Sequence, residues 1–138
     1  MSNQAVQAFN ICFEAARYLE RNKLWEYALT QYNRAINHFT PLLKESTDIS
    51  MQFYLMAHKS RYETYKRLNN EEAGASVFRD SLELFSPIHH LEERDQMYQF
   101  AEANGFVTPE VMSREMKANR SALQDLQRSI TERKLNSQ

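Results

Sequence analysis

The stretch Ala28-Leu29-Thr30-Gln31-Tyr32-Asn33-Arg34-Ala35-Ile36, followed by Phe39-Thr40-Pro41, decides how this 138-residue sequence is read. Ala28, Tyr32, Ala35, Ile36 and Phe39 recur at helical spacing, so an amphipathic helix is expected from about Leu24 to Phe39. Small residues at 28 and 35 let a neighbouring helix approach closely, and Tyr32 between them fills the groove. The pattern returns 46 residues later: Gly74 replaces Ala28, Phe78 replaces Tyr32, Ser81 replaces Ala35 and Pro87 replaces Pro41. Gly74 is therefore expected in a close-packing position rather than a turn.

Working outward, the sequence reads as all-α, with about six antiparallel helices in one domain, 1–138. The first, about 3–21, carries Ala5, Ala8, Phe9, Cys12, Phe13, Ala16 and Leu19 on one stripe. The very short Arg21-Asn22-Lys23 break makes an antiparallel hairpin with the second, hairpin 1 spanning 3–39. Residues 41–47 read as a turn or short extra helix. Hairpin 2 spans 48–86. Its first helix is capped by Asp48 and carries Phe53, Leu55, Met56, Tyr62, Tyr65 and Leu68. Asn69-Asn70 interrupts, and Glu71-Glu72 open the next helix, where the dipole favours acids. That helix contains Val77, Phe78, Leu82 and Phe85. A fifth helix covers 87–104, closed by a left-handed Asn104-Gly105 cap. A C-terminal helix covers 109–133 with a seam of Met112, Met116, Leu123, Leu126 and Ile130. Asn119 sits at a seam position, so this helix either covers the last hairpin or pairs with a second copy. All three prolines follow a hydroxyl residue (Thr40-Pro41, Ser86-Pro87, Thr108-Pro109), the pattern of an N-cap with Pro at the first helical position. With only two glycines and three prolines, the turn residues of an all-β or α/β fold are missing.

These residues resemble the tetratricopeptide repeat (TPR) family over about 85 residues. Ala28 to Ile36 with Thr40-Pro41 looks like the second helix of a repeat. Ala16, Leu19 and Trp25 match upstream, and Gly74, Phe78, Ser81 and Ser86-Pro87 give a poorer second copy. Tyr62 stands where the family has a small residue, and the 46-residue spacing exceeds the family's 34. The resemblance implies α-α hairpins in a right-handed superhelical array with a capping helix. It implies an adaptor or scaffold that binds a peptide or helix in an inter-helix groove. Some TPR proteins grip chaperone carboxylate termini with a Lys/Asn clamp. The corresponding positions here are Phe13, Arg17, Lys59 and Glu63, so that ligand is not expected. Residues 1–70 are also similar to the microtubule-interacting and transport (MIT) domain, through Ala28, Tyr32, Ala35-Ile36 and the third-helix residues Lys59, Tyr62, Tyr65 and Arg67. That resemblance implies a three-helix bundle binding helical tails of membrane-remodelling filament proteins.

No catalytic constellation is legible: there is no GxGxxG, Walker loop, HExxH or nucleophile elbow. A non-enzymatic protein without cofactor or metal is expected. His89 and His90 diverge on a helix and read as a solvated first turn, and Cys12 reads as a buried, inert thiol. No apolar run could span a membrane, and the first residues lack a secretion pattern, so an intracellular, cytoplasmic protein is expected.

Charge is uneven. Residues 1–70 carry nine Lys/Arg against six acids, residues 71–109 two against eight, and residues 110–138 six against four. His58, Lys59, Arg61, Lys66 and Arg67 cluster on the third helix, suiting an acidic peptide or, as an alternative, RNA. The acidic middle argues against a continuous phosphate-tracking surface. Tyr18, Trp25, Tyr27, Tyr54 and Tyr98 fall off or at the edge of the apolar stripes, where an aromatic can anchor a partner. The expected partner contacts are Tyr18, Trp25, Tyr54, Lys59, Arg61 and Arg67. Burial of the whole surface as a structural subunit of a larger assembly is a further alternative.

Overall fold

A computed structural model describes residues 2–44 and 50–136, so the expected Asp48 cap lies outside the described residues. The fold is all-α. Its helices are α1 (Ser2–Arg21), α2 (Trp25–Phe39), α3 (Ser50–Arg67), α4 (Glu71–Ser81), α5 (Leu91–Ala103) and α6 (Pro109–Asn136). Short 3₁₀ segments follow α2 (Thr40–Lys44) and α4 (Leu82–Leu84). Among the described residues there is no strand, and no helix is long and apolar enough to cross a membrane. The chain divides into two compact units, 1–84 and 85–138.

In the first unit α1 packs on α2, α2 on α3 and α3 on α4, while α1 touches α3 more lightly. The core is aromatic where α1, α2 and α3 meet. Phe9 stacks on Phe13 (5.5 Å) and meets Phe39 edge-on (5.2 Å), and Phe39 stacks on Tyr54 (4.8 Å). Such pairs add about 0.5–1.5 kcal/mol each beyond the area they bury. The repeated positions behave alike: Ala28, Tyr32 and Ala35 are buried in α2, and Gly74, Phe78 and Ser81 in α4. Gly74 is a close-packing residue, since a Cβ there would lie 2.7 Å from the Tyr65 Cβ on α3. On α1 the burial is narrower than its apolar stripe. Phe9, Phe13 and Ala16 are buried, whereas Ala5, Ala8, Cys12 and Leu19 are half-buried.

Three helix ends share one device. Lys23, Asn69 and Gly105 have φ of 61°, 58° and 82°. The residue after each donates its amide back across the helix end, with Leu24 bonding Leu19 O, Asn70 bonding Tyr65 O and Phe106 bonding Ala101 O. This satisfies carbonyls that would otherwise be orphaned. Gly105 was expected there; Lys23 holds the left-handed conformation at a cost glycine would not bear.

The three hydroxyl–proline pairs do three different things. Thr108 Oγ1 accepts the Val111 amide at 3.2 Å and α6 begins at Pro109, as expected. Thr40 instead ends α2, its hydroxyl donating to Ile36 O (2.7 Å) and lying 2.7 Å from the Tyr54 hydroxyl. Ser86 closes only a turn: its Oγ accepts the amides of Ile88 (3.1 Å) and His89 (3.4 Å). The fifth helix therefore starts at Leu91 rather than Pro87, with Glu92 and Glu93 in its first turn.

In the second unit α5 packs on α6 through a polar seam. Arg94 Nε donates to Asn119 Oδ1 (3.0 Å) and Nη1 to Phe85 O (2.8 Å), while Arg120 pairs with Asp95 at 2.9 Å. The expected seam residue Asn119 is buried, Met112, Met116, Leu123 and Leu126 are half-buried, and Ile130 is exposed.

Candidate functional site

The first unit carries a groove between α1 and α3. Both helices lie against α2, and their facing residues meet along its length. Phe13 on α1 touches Phe53 on α3 edge-on at 6.0 Å. Further along, Arg17 Nη1 lies 3.0 Å from the Met56 sulfur, and its guanidinium sits 5.7 Å from the Phe13 ring centroid. Phe53 and Met56 were expected on the apolar core stripe, yet they are 47% and 39% exposed. They are apolar groups left at the surface beside the Arg17 cation.

Past Arg17 the groove becomes polar and deepens into a cavity of about 260 Å³. It is lined by Glu20 from α1, Trp25 at the start of α2, and Ser60, Glu63, Thr64 and Arg67 from α3. Beneath it the buried Tyr32 hydroxyl donates to Glu20 Oε1 at 3.0 Å. Burial pushes the Tyr32 phenol up to about 12, the neighbouring Ser60 hydroxyl pulling the other way, so it acts as a neutral donor. Arg67 lies 5.4 Å from the Trp25 ring centroid, a cation–π contact across the cavity mouth.

The expected partner-contact residues therefore separate. Trp25 and Arg67 come together at the cavity. Tyr18 is 59% exposed on α1, beside a shallow depression that also includes Phe13, Arg17 and Arg21. Lys59 is half-buried on α3. Tyr54 is instead a core residue with 0% exposure. Its ring stacks on Phe39, and burial raises its phenol to about 12. Tyr98, also read off the stripe, is buried on α5.

Arg61 is corrected likewise. It is buried between α2, α3 and α4, donating to Asn33 Oδ1 (3.1 Å) and Ser81 Oγ (3.2 Å), with His58 Nδ1 at 3.4 Å. Burial, and secondarily the Arg61 charge, lower His58 to about 3, so it is neutral near pH 7. The cations of α3 thus do not form one exposed stripe: His58 and Arg61 face inward, and Lys59, Lys66 and Arg67 remain.

The residues lining the groove and cavity that the sequence reading did not single out are Phe53, Met56, Glu20 and Ser60. Elsewhere, His89 is exposed but His90 is buried, which corrects the solvated reading of that pair. Cys12 is half-buried rather than enclosed. Among the described residues, no three His, Cys, Asp or Glu side chains converge as metal ligands would. No family model, curated protein or solved structure matches this chain.

Proposed function

We propose that this chain is a non-enzymatic protein-interaction module that holds a peptide or helix of a partner protein in the α1–α3 groove. The observation that carries this reading is the groove itself. Exposed Phe53 and Met56 lie at one end, and a cavity under Trp25 and Arg67 lies at the other. Aromatic and arginine anchors beside a pocket are the groups that dominate binding energy at protein interfaces. The packing of α4 on α3, with small residues at the contact as α2 has, supports a TPR-like hairpin array over an MIT-like bundle ending near residue 70. The RNA reading is weakened because Arg61 and His58 are spent inside the fold. An adaptor or scaffold role in a cytoplasmic complex follows from this reading.

The test is crosslinking mass spectrometry on the intact chain in cells, repeated with Phe53→Glu plus Met56→Glu. Both side chains are exposed, so the double variant is expected to keep its helical spectrum and lose its crosslinked partner. A partner retained undiminished by the double variant would remove the groove from the account.

A further inference from the structure

Resting on that reading, we infer that the cavity at the polar end of the groove takes a basic side chain, lysine or arginine, of the bound partner segment. Two carboxylates from facing helices, Glu20 and Glu63, line it. Among the described residues neither forms an ion pair; Glu20 accepts only the Tyr32 hydroxyl. Lys59, Lys66 and Arg67 neighbour Glu63 on α3 at i−4, i+3 and i+4, and none of them forms an ion pair with it among the described residues. Arg67 is diverted instead onto the Trp25 ring at 5.4 Å. The lining thus holds two acids against one base, Arg67, which keeps its charge on the Trp25 ring and leaves one acid in excess.

A partner cation entering there would meet both carboxylates, with the Ser60 hydroxyl in the wall and the Trp25 indole beside it. A partner carboxylate would meet Glu20 and Glu63 in repulsion. The apolar end supplies the other half of the recognition. Phe53–Met56 and the cavity centre are about nine residues apart on α3, or roughly 13 Å at 1.5 Å per residue. An extended segment at about 3.3 Å per residue covers this distance in about four residues. The partner segment is therefore an aliphatic or aromatic residue followed or preceded, about four positions away, by Lys or Arg.

A random dodecapeptide library displayed on phage, selected against the full chain, tests this. Selected peptides are then measured on Glu20→Gln plus Glu63→Gln, and on Phe53→Glu plus Met56→Glu. The amide pair keeps an acceptor for Tyr32, so the fold should survive, as circular dichroism would verify. The expected result is peptides carrying that basic residue, a Trp25 indole NMR shift on binding, and at least tenfold weaker binding to the amide variant. Peptides that need Phe53 and Met56 but bind the amide variant equally, or carry no basic residue, would overturn the charge assignment and leave the groove reading standing. Failure to select any peptide sensitive to Phe53 and Met56 would overturn both.

Discussion

The two hairpins of the first unit place the same side-chain pattern against different surroundings. In α1–α2 the small–aromatic–small face of Ala28, Tyr32 and Ala35 is buried, and Tyr32 meets Phe13 edge-on at 6.1 Å. In α3–α4 the matching Gly74 and Phe78 pack on the Tyr62 and Tyr65 side chains, and only Ser81 meets a polar group, the buried Arg61. One hydroxyl makes much of the difference: Ser81, where α2 has Ala35, accepts from the buried Arg61 and donates to Val77 O at 2.9 Å. Among the described residues the Arg61 bonds all go to neutral groups. A guanidinium taken from water without a carboxylate partner is expensive to hold. The buried polar cluster of Arg61 and His58 accordingly makes α3–α4 the hairpin whose stability answers to pH.

That contrast can be broken most forcefully at Phe39. Phe39→Ala opens a cavity between Phe9 and Tyr54, and should cost about 3–5 kcal/mol in urea denaturation. Phe78→Ala, whose ring meets Tyr62 edge-on at 6.4 Å, should cost less. Equal costs would erase the distinction between the hairpins.

The next effect is one of pH. The folded His58 titrates at about 3, below its usual 6.5. Between those values the unfolded chain carries a proton that the folded chain excludes. Stability from this group is therefore fully present above about pH 6.5 and lost as pH falls towards 3, with a slope of up to about 1.4 kcal/mol per pH unit. His58→Leu should flatten that part of the profile, measured as urea midpoint against pH.

Ser81→Ala removes an acceptor from Arg61 and should destabilise by about 1–3 kcal/mol. The reciprocal Ala35→Ser can bond its own helix backbone, so it should cost less. The smallest effect sharpens the comparison at the hairpin turns. Lys23→Gly relieves the left-handed backbone and should raise stability by about 0.5–1 kcal/mol in thermal melts. Asn69→Gly should gain less, because Asn tolerates that conformation.

How legible this was from sequence differs between the same regions. The buried face of α2 was legible because it is a single stripe with a clean 3.6-residue period. On α3 the period fails. That helix packs on α2 from one side and α4 from the other, so polar residues such as Arg61 and His58 are buried while Phe53 and Met56 reach the surface. Tyr54 looked peripheral for the same reason. Ser86-Pro87 looked like Thr108-Pro109, but hydroxyl capping chemistry serves a single turn as well as a helix start. At the site, Trp25 and Arg67 were both named from sequence. Their pairing, and the cavity they border with Glu20, depends on how α1 and α3 lie together, which no local pattern encodes.

The central claim is that the α1–α3 groove is the surface at which this chain meets another protein. A photo-crosslinking amino acid placed singly at Phe53, at Met56 and, as a control, at the exposed Asp80 on α4 tests it most directly in intact cells. One discrete adduct shared by positions 53 and 56 and absent at 80 is the expected result. Adducts of equal yield at all three positions, or an adduct at 80 alone, would contradict the claim.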